Sequence, residues 1–322
     1  LDLLSSLAES FEYLDTQDQC RSLVLAAQGR AFCAGADFRS EEGGGLFSTD
    51  PEQGAENIYR CAVRLFRTRK PVIAAVQGAA VGGGLGLSLV ADFRVICEHT
   101  RFSANFVKLG VHAGFGITQV LPRVVGQPNA ALMLYTGRRV GPEEAIRIGL
   151  ADILASARDI RAQAIALAAE IAEAAPLAVE STRETLRGDL ADAVARQVER
   201  ELAEQQRLAA TADHEEGKRG RPGRSLGRVS VSASEIRATE TECAAAPAQI
   251  GNIIAGIVED DDVRPMGRVV VLFAVIARTK SEAAGTAVCQ RNTRRVDIVV
   301  PTADGAADLG ESPAGHRWIT TR

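Results

Sequence analysis

The chain of 322 residues is 46% hydrophobic and 24% charged, which is typical of a soluble globular protein with one large domain or two smaller ones. Its formal net charge of -4 gives no overall attraction for nucleic acid or an anionic membrane, so we expect neither partner. No apolar run approaches the roughly 18 to 20 residues of a membrane span, and no signal-peptide pattern opens the chain. The sequence therefore predicts a cytoplasmic protein.

The cysteines and the first residue add two expectations. The six cysteines form no C-x-x-C pair and have no suitably spaced histidine beside them, which favours free thiols over disulfides or a zinc site. The chain starts at Leu1 and its first methionine is Met133, so we expect its true N-terminus to precede Leu1.

The first hundred residues alternate between two kinds of pattern. Apolar residues at helical spacing predict a helix over 1–14, and the apolar run at 22–27 predicts a buried strand. The amphipathic stretch 52–67 predicts a second helix, which ends before Pro71. Four elements follow: a strand at 71–77, a loop at 78–84, a helix at 85–92 and a strand at 93–98. This alternation predicts an α/β layered fold with largely parallel strands.

The second half of the chain has a different pattern. From Gly114 to about Glu216 the apolar spacing predicts almost only helices. A Gly- and Arg-rich run then begins, and the remaining sequence has no sustained helical period, although VVVLFAVIA and VDIVV could be strands. We therefore divide the chain into a core, residues 1–219, and a poorly classifiable tail, residues 220–322. The Gly/Arg run is either a flexible linker or a contact for RNA or a membrane.

The stretch from Gly78 to Leu87 places five glycines in ten positions directly after a predicted strand. Such turns often let an anion approach the backbone, so a nucleotide is the first ligand to consider. The motif G-x-G-x-x-G would need glycine at Leu87 or Leu89, and a P-loop would need Lys followed by Ser or Thr after its last glycine. The pattern therefore predicts a helix N-terminus with exposed backbone N–H groups, and excludes both nucleotide motifs.

Exposed N–H groups at a helix N-terminus suit a carbonyl oxygen that becomes negative during a reaction. A second loop of small residues, Cys33 to Asp37, also follows an apolar strand and exposes its backbone. Two such loops at the C-terminal ends of neighbouring parallel strands can face one crevice. The residues alone leave two interpretations open: an oxyanion site shared by both loops, or two tight connections without a chemical role.

Four motifs stand in the order and spacing of one known family: RAFCAGADF, KPVIAAVQGAAVGGGLGLSLVADFRV, FVKLGVHAGFGITQVLPRVVG and LYTGRRVGPEEAIRIGLAD. From about residue 1 to residue 219 the chain resembles the crotonase family, also called the enoyl-CoA hydratase/isomerase superfamily. The resemblance implies an α/β crotonase-like spiral of strands and helices with a C-terminal helical trimerisation region, followed here by an uncertain tail. The family's first strands are absent from the sequence, so we expect an exposed, aggregation-prone sheet edge.

The resemblance also implies a site. Family members bind an acyl-CoA thioester, need no cofactor besides the coenzyme A of the substrate, and hold the thioester carbonyl with two backbone N–H groups. These donors correspond to Ala36 and Gly83, and the loss of one such donor costs about 2.7 to 4 kcal/mol of transition-state stabilisation. The predicted substrate-binding residues are both donors and six neighbours: Ala34, Asp37, Phe38, Arg39, Gly82 and Phe106. Arg39 would meet a CoA phosphate or remain an exposed loop charge.

The family pattern breaks at the two positions where hydratases carry glutamates. These positions read Gly86 and Phe106, and neither residue can move a proton. General acid/base groups contribute about 10² to 10⁴ in rate, so we expect ordinary hydratase activity to be very weak unless another group substitutes. The family's isomerases rely mainly on a carboxylate near the second position, so the same change weakens that activity too.

His112 is the candidate to replace the missing glutamates as acid or base, because it is close in sequence to the active-site segment and would titrate near neutral pH if unperturbed. The alternative is that His112 has only a packing role. The acidic residues nearby are expected to be structural or solvated: Asp37, Asp92, Glu41, Glu42 and Asp50. Three functions stay open: an enoyl-CoA hydratase/isomerase family enzyme that stabilises a thioester enolate, a non-catalytic acyl-CoA binding or carrier protein, and a hydrolase or decarboxylase led by His112.

The end of the core and the tail carry two further expectations. The charged helical stretch before residue 217 resembles the helices through which crotonase-like proteins trimerise, so we expect a homotrimer or a dimer of trimers. Charged residues at helical spacing would alone indicate only a solvated amphipathic helix. The tail departs from the family's usual ending at Gly220, which leads us to expect a fused or out-of-frame extension.

Overall fold

The structure, a computed structural model, describes residues 2–35 and 55–219 and, in the tail, the five strands β8 to β12. The helices of the described part are α1 (Asp2–Asp15), α2 (Ala55–Phe66), α3 (Gly83–Val90), α4 (Ile117–Thr136), α5 (Pro142–Arg147), α6 (Ile160–Glu173), α7 (Pro176–Arg187), α8 (Leu190–Ala209) and α9 (Ala212–Arg219), with a 3-10 helix at Asn105–Leu109. The strands are β1 (Cys20–Ala27), β2 (Val72–Val76), β3 (Ala79–Val81), β4 (Phe93–Cys97), β5 (Arg101–Ser103), β6 (Arg139–Val140), β7 (Ile153–Ala155), β8 (Ile253–Glu259), β9 (Val269–Ile276), β10 (Thr286–Gln290), β11 (Val296–Val299) and β12 (Arg317–Thr321).

The main sheet has the strand order β11-β8-β9-β1-β2-β4-β7. Strands β1, β2, β4 and β7 pair in parallel, which confirms the predicted α/β fold. Strand β9 pairs antiparallel with β1, and β8 and β11 continue the sheet outward. The sequence predicts an exposed sheet edge without naming the strand, and in the structure a strand of the tail covers one edge of β1. Strands β10 and β12 form a separate pair.

Buried apolar side chains cover both faces of the parallel strands, because successive residues of a strand point to opposite sides. Leu23 and Leu25 of β1 belong to the larger core, which α1, α2, α3, α4 and α8 also line. Val24 of β1 packs on the other face with α6, which presents a buried stripe of small residues: Ala164, Ala168 and Ala172.

In the described residues no single helix is long and apolar enough to span a membrane. Helices α6 and α7 would be long and apolar enough only as a pair, and that pair is bent by 109°.

The glycine-rich stretch after β2 differs from its prediction. The sequence predicts a loop over 78–84 and a helix from 85, but Ala79–Val81 is a strand and α3 already begins at Gly83. Strand β3 pairs in parallel with β5, and Cys33 forms an isolated bridge with Ala80 on its other side. Pairing from two sides satisfies the backbone groups of this segment, so it is extended in spite of the glycines around it. The region from Gly114 to about Glu216, for which the sequence predicts almost only helices, also contains the short strands β6 and β7.

Candidate active site

The described residues of the second loop, 33–35, lie beside the glycine-rich stretch. The Cys33 N–H donates to the Ala79 carbonyl at 2.9 Å, and the Val81 N–H donates to the Cys33 carbonyl at 2.9 Å. A β-carbon at Gly35 would lie 2.8 Å from the Val81 carbonyl oxygen and 3.7 Å from the Gly83 nitrogen. A β-carbon at Gly84 would lie only 1.9 Å from the Cys33 carbonyl oxygen. Bare backbone at these two glycines lets the loops touch.

The N-terminus of α3 lies at this junction. Gly82 precedes the helix with φ 58°, a value that favours glycine, and its N–H donates to the Ser103 carbonyl at 2.9 Å. Gly83 follows in the first turn, where a helix has no carbonyl of its own for the N–H groups. The positive end of the helix dipole adds to the attraction for a partly negative oxygen. The Gly83 N–H is therefore chemically suited to a carbonyl oxygen.

Two aromatic rings border the same helix turn. Phe106, in the 3-10 helix, places its Cζ 3.8 Å from a β-carbon built at Gly82. Phe115 places its Cδ2 4.0 Å from a β-carbon built at Gly83, and a β-carbon at Gly86 would lie 2.6 Å from its Cδ1. Both phenylalanines are buried. Beside Gly83 and Gly86 the nearest described side chain is therefore the apolar Phe115 ring, which takes the space that any side chain at position 86 would need. At Gly82 the Oδ1 of Asn105 lies nearer than Phe106, 3.3 Å from the built β-carbon.

Phe115 has an unusual backbone. Its φ of 66° lies in the left-handed region, and among the described residues every other positive φ belongs to a glycine. A side chain in this region costs roughly 1 to 2 kcal/mol, so neighbouring contacts must hold the residue there. The next residue, Gly116, donates its N–H to Oε2 of Glu201 at 2.7 Å. Thr118 donates its own N–H to Oε1 of the same carboxylate at 3.1 Å.

Glu201 of α8 is thus a buried carboxylate that caps the first turn of α4. Its exposed fraction is 0%, and burial raises the pKa of its carboxyl to about 7, against the hydrogen bonds from Thr118 and Gly116, which lower it. Nearby, the Tyr59 hydroxyl donates to Gln205, whose amide donates to the His112 carbonyl at 2.8 Å. Burial raises the pKa of Tyr59, and the charge of Glu201 raises it further. This network ties α2 and α8 to the segment that carries Phe115.

His112, the candidate substitute base, is half-buried. Its Nδ1 lies 2.7 Å from the carbonyl oxygen of the adjacent Ala113, and its own carbonyl accepts the hydrogen bond from Gln205. These contacts give His112 a part in holding the loop. A catalytic role for it stays a prediction.

Several predicted site residues lie outside the described part of the chain: Ala36, Asp37, Phe38 and Arg39, together with the acidic Glu41, Glu42 and Asp50. Ala34 is described and exposed. In the described residues no group of three His, Cys, Asp or Glu is arranged to hold a metal ion. Cys20, Cys33, Cys61 and Cys97 form no disulfide, and burial raises the pKa of the Cys20 thiol to about 12.

Sequence reasoning missed two residues. Phe115 stands between glycines in G-F-G, a pattern in which a positive φ is plausible, but its contact with Gly86 becomes visible only in three dimensions. Glu201 belongs to a helix whose charges at helical spacing are interpreted from sequence as a solvated face. The structure corrects that interpretation at this position, because Glu201 faces the core while Glu204 pairs with Arg207 at the surface.

Fold and site together define a protein with an α/β core in which the N-terminus of α3 lies beside the loop at Cys33–Gly35. The family profile named Enoyl-CoA hydratase/isomerase matches residues 1–221. The chain therefore belongs to the enoyl-CoA hydratase/isomerase family, within the crotonase superfamily, whose members bind acyl-CoA substrates.

Relatives and solved structures agree with this assignment. YngF of Bacillus subtilis (strain 168), whose name places it provisionally among the enoyl-CoA hydratase/isomerases, is 34% identical over 67% of this chain and 83% of its own. The (E)-benzylidenesuccinyl-CoA hydratase of Thauera aromatica is 33% identical over 56% of this chain and 70% of its own. The crystal structure of an enoyl-CoA hydratase/isomerase from Pseudoalteromonas atlantica T6c has a TM-score of 0.59 and 28% identity, and covers 66% of this chain and 83% of that one.

Proposed function

We propose that the chain binds an acyl-CoA thioester in the crevice between the Cys33–Gly35 loop and α3. The thioester oxygen accepts hydrogen bonds from the backbone N–H groups of Gly83 and Ala36, and coenzyme A enters as part of the substrate. The observation that carries the proposal is the closeness of Gly35 to the first turn of α3: a β-carbon built at Gly35 would lie 3.7 Å from the Gly83 nitrogen. Two such donors would stabilise the enolate oxygen that forms when charge moves onto the thioester.

The proposed chemistry differs from that of an ordinary hydratase at the acid/base positions. Gly86 carries no side chain and faces the Phe115 ring, and Phe106 is apolar and buried. A hydration step needs a group that delivers a proton and one that activates water, and such groups contribute about 10² to 10⁴ in rate. We therefore propose that the site stabilises a thioester enolate but hydrates an enoyl-CoA only slowly.

A second candidate function belongs to another class: a non-catalytic protein that binds or carries acyl-CoA. The Phe115 ring favours it, because an apolar surface beside Gly83 and Gly86 can hold an acyl chain without offering it a proton. Both candidate functions use the same donors and differ only in turnover.

The oligomeric state is also a proposal: the resemblance implies a homotrimer or a dimer of trimers. Size-exclusion chromatography with light scattering tests it.

Calorimetric titration with crotonyl-CoA and butanoyl-CoA tests the proposal, with the enoyl absorbance followed in the same crotonyl-CoA samples. We expect both thioesters to bind and the absorbance to fall slowly. Binding with no loss of absorbance would favour the carrier function, whereas a fast loss would contradict the role given to Gly86 and Phe106. In that last case His112→Ala shows whether the histidine moves the proton. Failure of both ligands to bind would overturn both functions.

A further inference from the structure

The space beside Gly86 and the Gly83 N–H has a specific occupant, the Phe115 ring. A β-carbon at Gly86 would lie 2.6 Å from Cδ1 and 2.8 Å from both Cβ and Cγ of Phe115. The space beside Gly86 that a β-carbon would need is therefore filled by the ring and leaves no room for a water molecule there. The ring thus stands where the family's first glutamate would extend, and it replaces a proton-bearing group by an apolar surface.

Contacts of the two neighbouring residues, Gly114 and Gly116, hold the backbone of Phe115 in place. Phe115 adopts a left-handed φ of 66°, and the following N–H of Gly116 is bound by the buried carboxylate of Glu201. The preceding Gly114 leaves no space for a side chain, since a β-carbon there would lie 2.0 Å from the Tyr59 hydroxyl. A residue with so few alternative conformations presents a fixed surface. A fixed surface discriminates between ligands more sharply than a mobile one, because it cannot adapt to a poorly fitting group.

We infer that Phe115 is a specificity-determining residue of the acyl pocket, and that it selects thioesters without a polar substituent on the carbons next to the thioester carbonyl. This inference rests on the proposed function. If the Gly83 N–H holds the thioester oxygen, the next acyl carbons lie against Phe115 on the side of Gly86, whereas the Gly82 side carries Phe106 and the Oδ1 of Asn105. A hydroxyl directed at Phe115 would lose its water and find no partner on the ring, which disfavours its binding.

The substrate class follows from this geometry. Saturated and α,β-unsaturated acyl-CoA thioesters present only hydrocarbon at these carbons, and both fit. A 3-hydroxyacyl-CoA, the product that hydration would give, presents a hydroxyl to the Phe115 ring. The site should therefore bind butanoyl-CoA and crotonyl-CoA with similar affinity and bind 3-hydroxybutanoyl-CoA about tenfold or more weakly, since an unpaired buried hydroxyl typically changes binding by that much.

The test compares these three ligands by calorimetric titration on the full chain and on variants of residue 115. Phe115→Leu keeps an apolar side chain and is expected to keep the discrimination. Phe115→Ala opens the space to water, so the preference for butanoyl-CoA over 3-hydroxybutanoyl-CoA should fall to about threefold or less. Phe115→Asn, a residue that tolerates a positive φ, places an amide beside the ligand and should reduce the preference further, even if the alanine variant fails to fold.

Phe93→Ala is the matched control. Phe93 is an aromatic residue at the start of β4, opposite Ile73 near the start of β2, and therefore at the other end of the parallel strands from Gly83. Its truncation should leave the preference unchanged. A wild-type chain that binds 3-hydroxybutanoyl-CoA as well as butanoyl-CoA, or a Phe115→Asn variant with the wild-type preference, would overturn the inference while the proposed function stands. A wild-type chain that binds none of the three ligands would instead overturn the proposed function.

Discussion

At the scale of single residues, two glycines of α3 are excluded from carrying a side chain for different reasons. A β-carbon at Gly84 would lie 1.9 Å from the carbonyl oxygen of Cys33, which belongs to backbone paired with β3. A β-carbon at Gly86 would instead meet the side chain of Phe115. The first clash cannot be relieved without moving a loop of the site. The second can be relieved by changing one ring.

Gly86→Ala should lower the free energy of unfolding by about 2 kcal/mol, because overpacking a well-filled core costs typically 1 to 3 kcal/mol and outweighs the better helix propensity of alanine. Adding Phe115→Ala should cancel most of the crowding, so the two changes should couple by more than about 1 kcal/mol in urea unfolding. Gly84→Ala is the matched control, which Phe115→Ala should not rescue. Additive effects of the changes at 86 and 115 would contradict the contact.

At the scale of elements, Glu201 joins α8 to the start of α4. Burial raises the pKa of its carboxyl to about 7 in the folded chain from 4.5, so the folded state keeps this proton to a higher pH than the unfolded state does. The contribution of this group to stability is therefore complete below pH 4.5 and is lost as pH rises toward and through 7. The hydrogen bonds from Gly116 and Thr118 to the carboxylate reduce this loss of stability but do not reverse it.

Glu201→Gln removes the titration and keeps the shape of the side chain. We expect the stability of the variant relative to wild type to rise by about 3 kcal/mol between pH 4.5 and pH 8, which follows from the two pKa values. Urea unfolding across this range measures the difference and cancels most contributions of other groups. A difference that stays constant with pH would show that Glu201 is ionised at the same pH in both states.

A second link between elements is the carboxylate of Asp92, which follows α3. It accepts hydrogen bonds from Nε of Arg183 at 2.8 Å, from Nη1 of Arg187 at 2.8 Å and from the Val72 N–H at 2.8 Å. Burial alone would raise the pKa of Asp92, but the charges of Arg183 and Arg187 outweigh it and lower the pKa. The group therefore fastens α7 to the start of β2.

Asp92→Asn should destabilise the fold by about 3 to 5 kcal/mol, because it leaves the buried guanidinium of Arg183 and the half-buried one of Arg187 without a countercharge. Asp189→Asn is the comparison, since Asp189 forms exposed ion pairs with Arg123 and Arg196 and should change stability by less than about 1 kcal/mol. Thermal unfolding of both variants measures the contrast. Equal effects would mean that Asp92 contributes no more than a surface charge.

At the scale of the whole molecule, the tail strand β9 covers the edge of β1. Ending the chain after residue 219 would expose the N–H and C=O groups of β1 along that edge, and an uncovered edge pairs readily with other chains. We expect the shortened chain to unfold at a lower temperature and to form aggregates in size exclusion. A shortened chain that stays as stable and as disperse as the full chain would show that β9 contributes nothing to the sheet.

The sequence predicts most of the core and part of the site. Helix α1, strand β2 and strand β4 emerge within two residues of their predicted bounds, because buried strands and amphipathic helices carry their pattern locally. Strand β3 escapes prediction because its pairing with β5 and Cys33 is remote in sequence. The same holds for Phe115, whose importance depends on contact with Gly86. The spacing of the glycines in the sequence indicates where side chains are excluded, but not which neighbouring side chain fills that space.

The most direct measurement compares Gly83→Pro with Gly83→Ala in calorimetric titration with butanoyl-CoA. Proline is tolerated at the first position of a helix and removes the N–H, whereas alanine keeps it, and a β-carbon there has its nearest neighbour at 4.0 Å. The account predicts that the alanine variant binds nearly as wild type and the proline variant about tenfold more weakly or worse, with both chains folded. Equal binding by the two variants would contradict the claim that the Gly83 N–H holds the thioester oxygen.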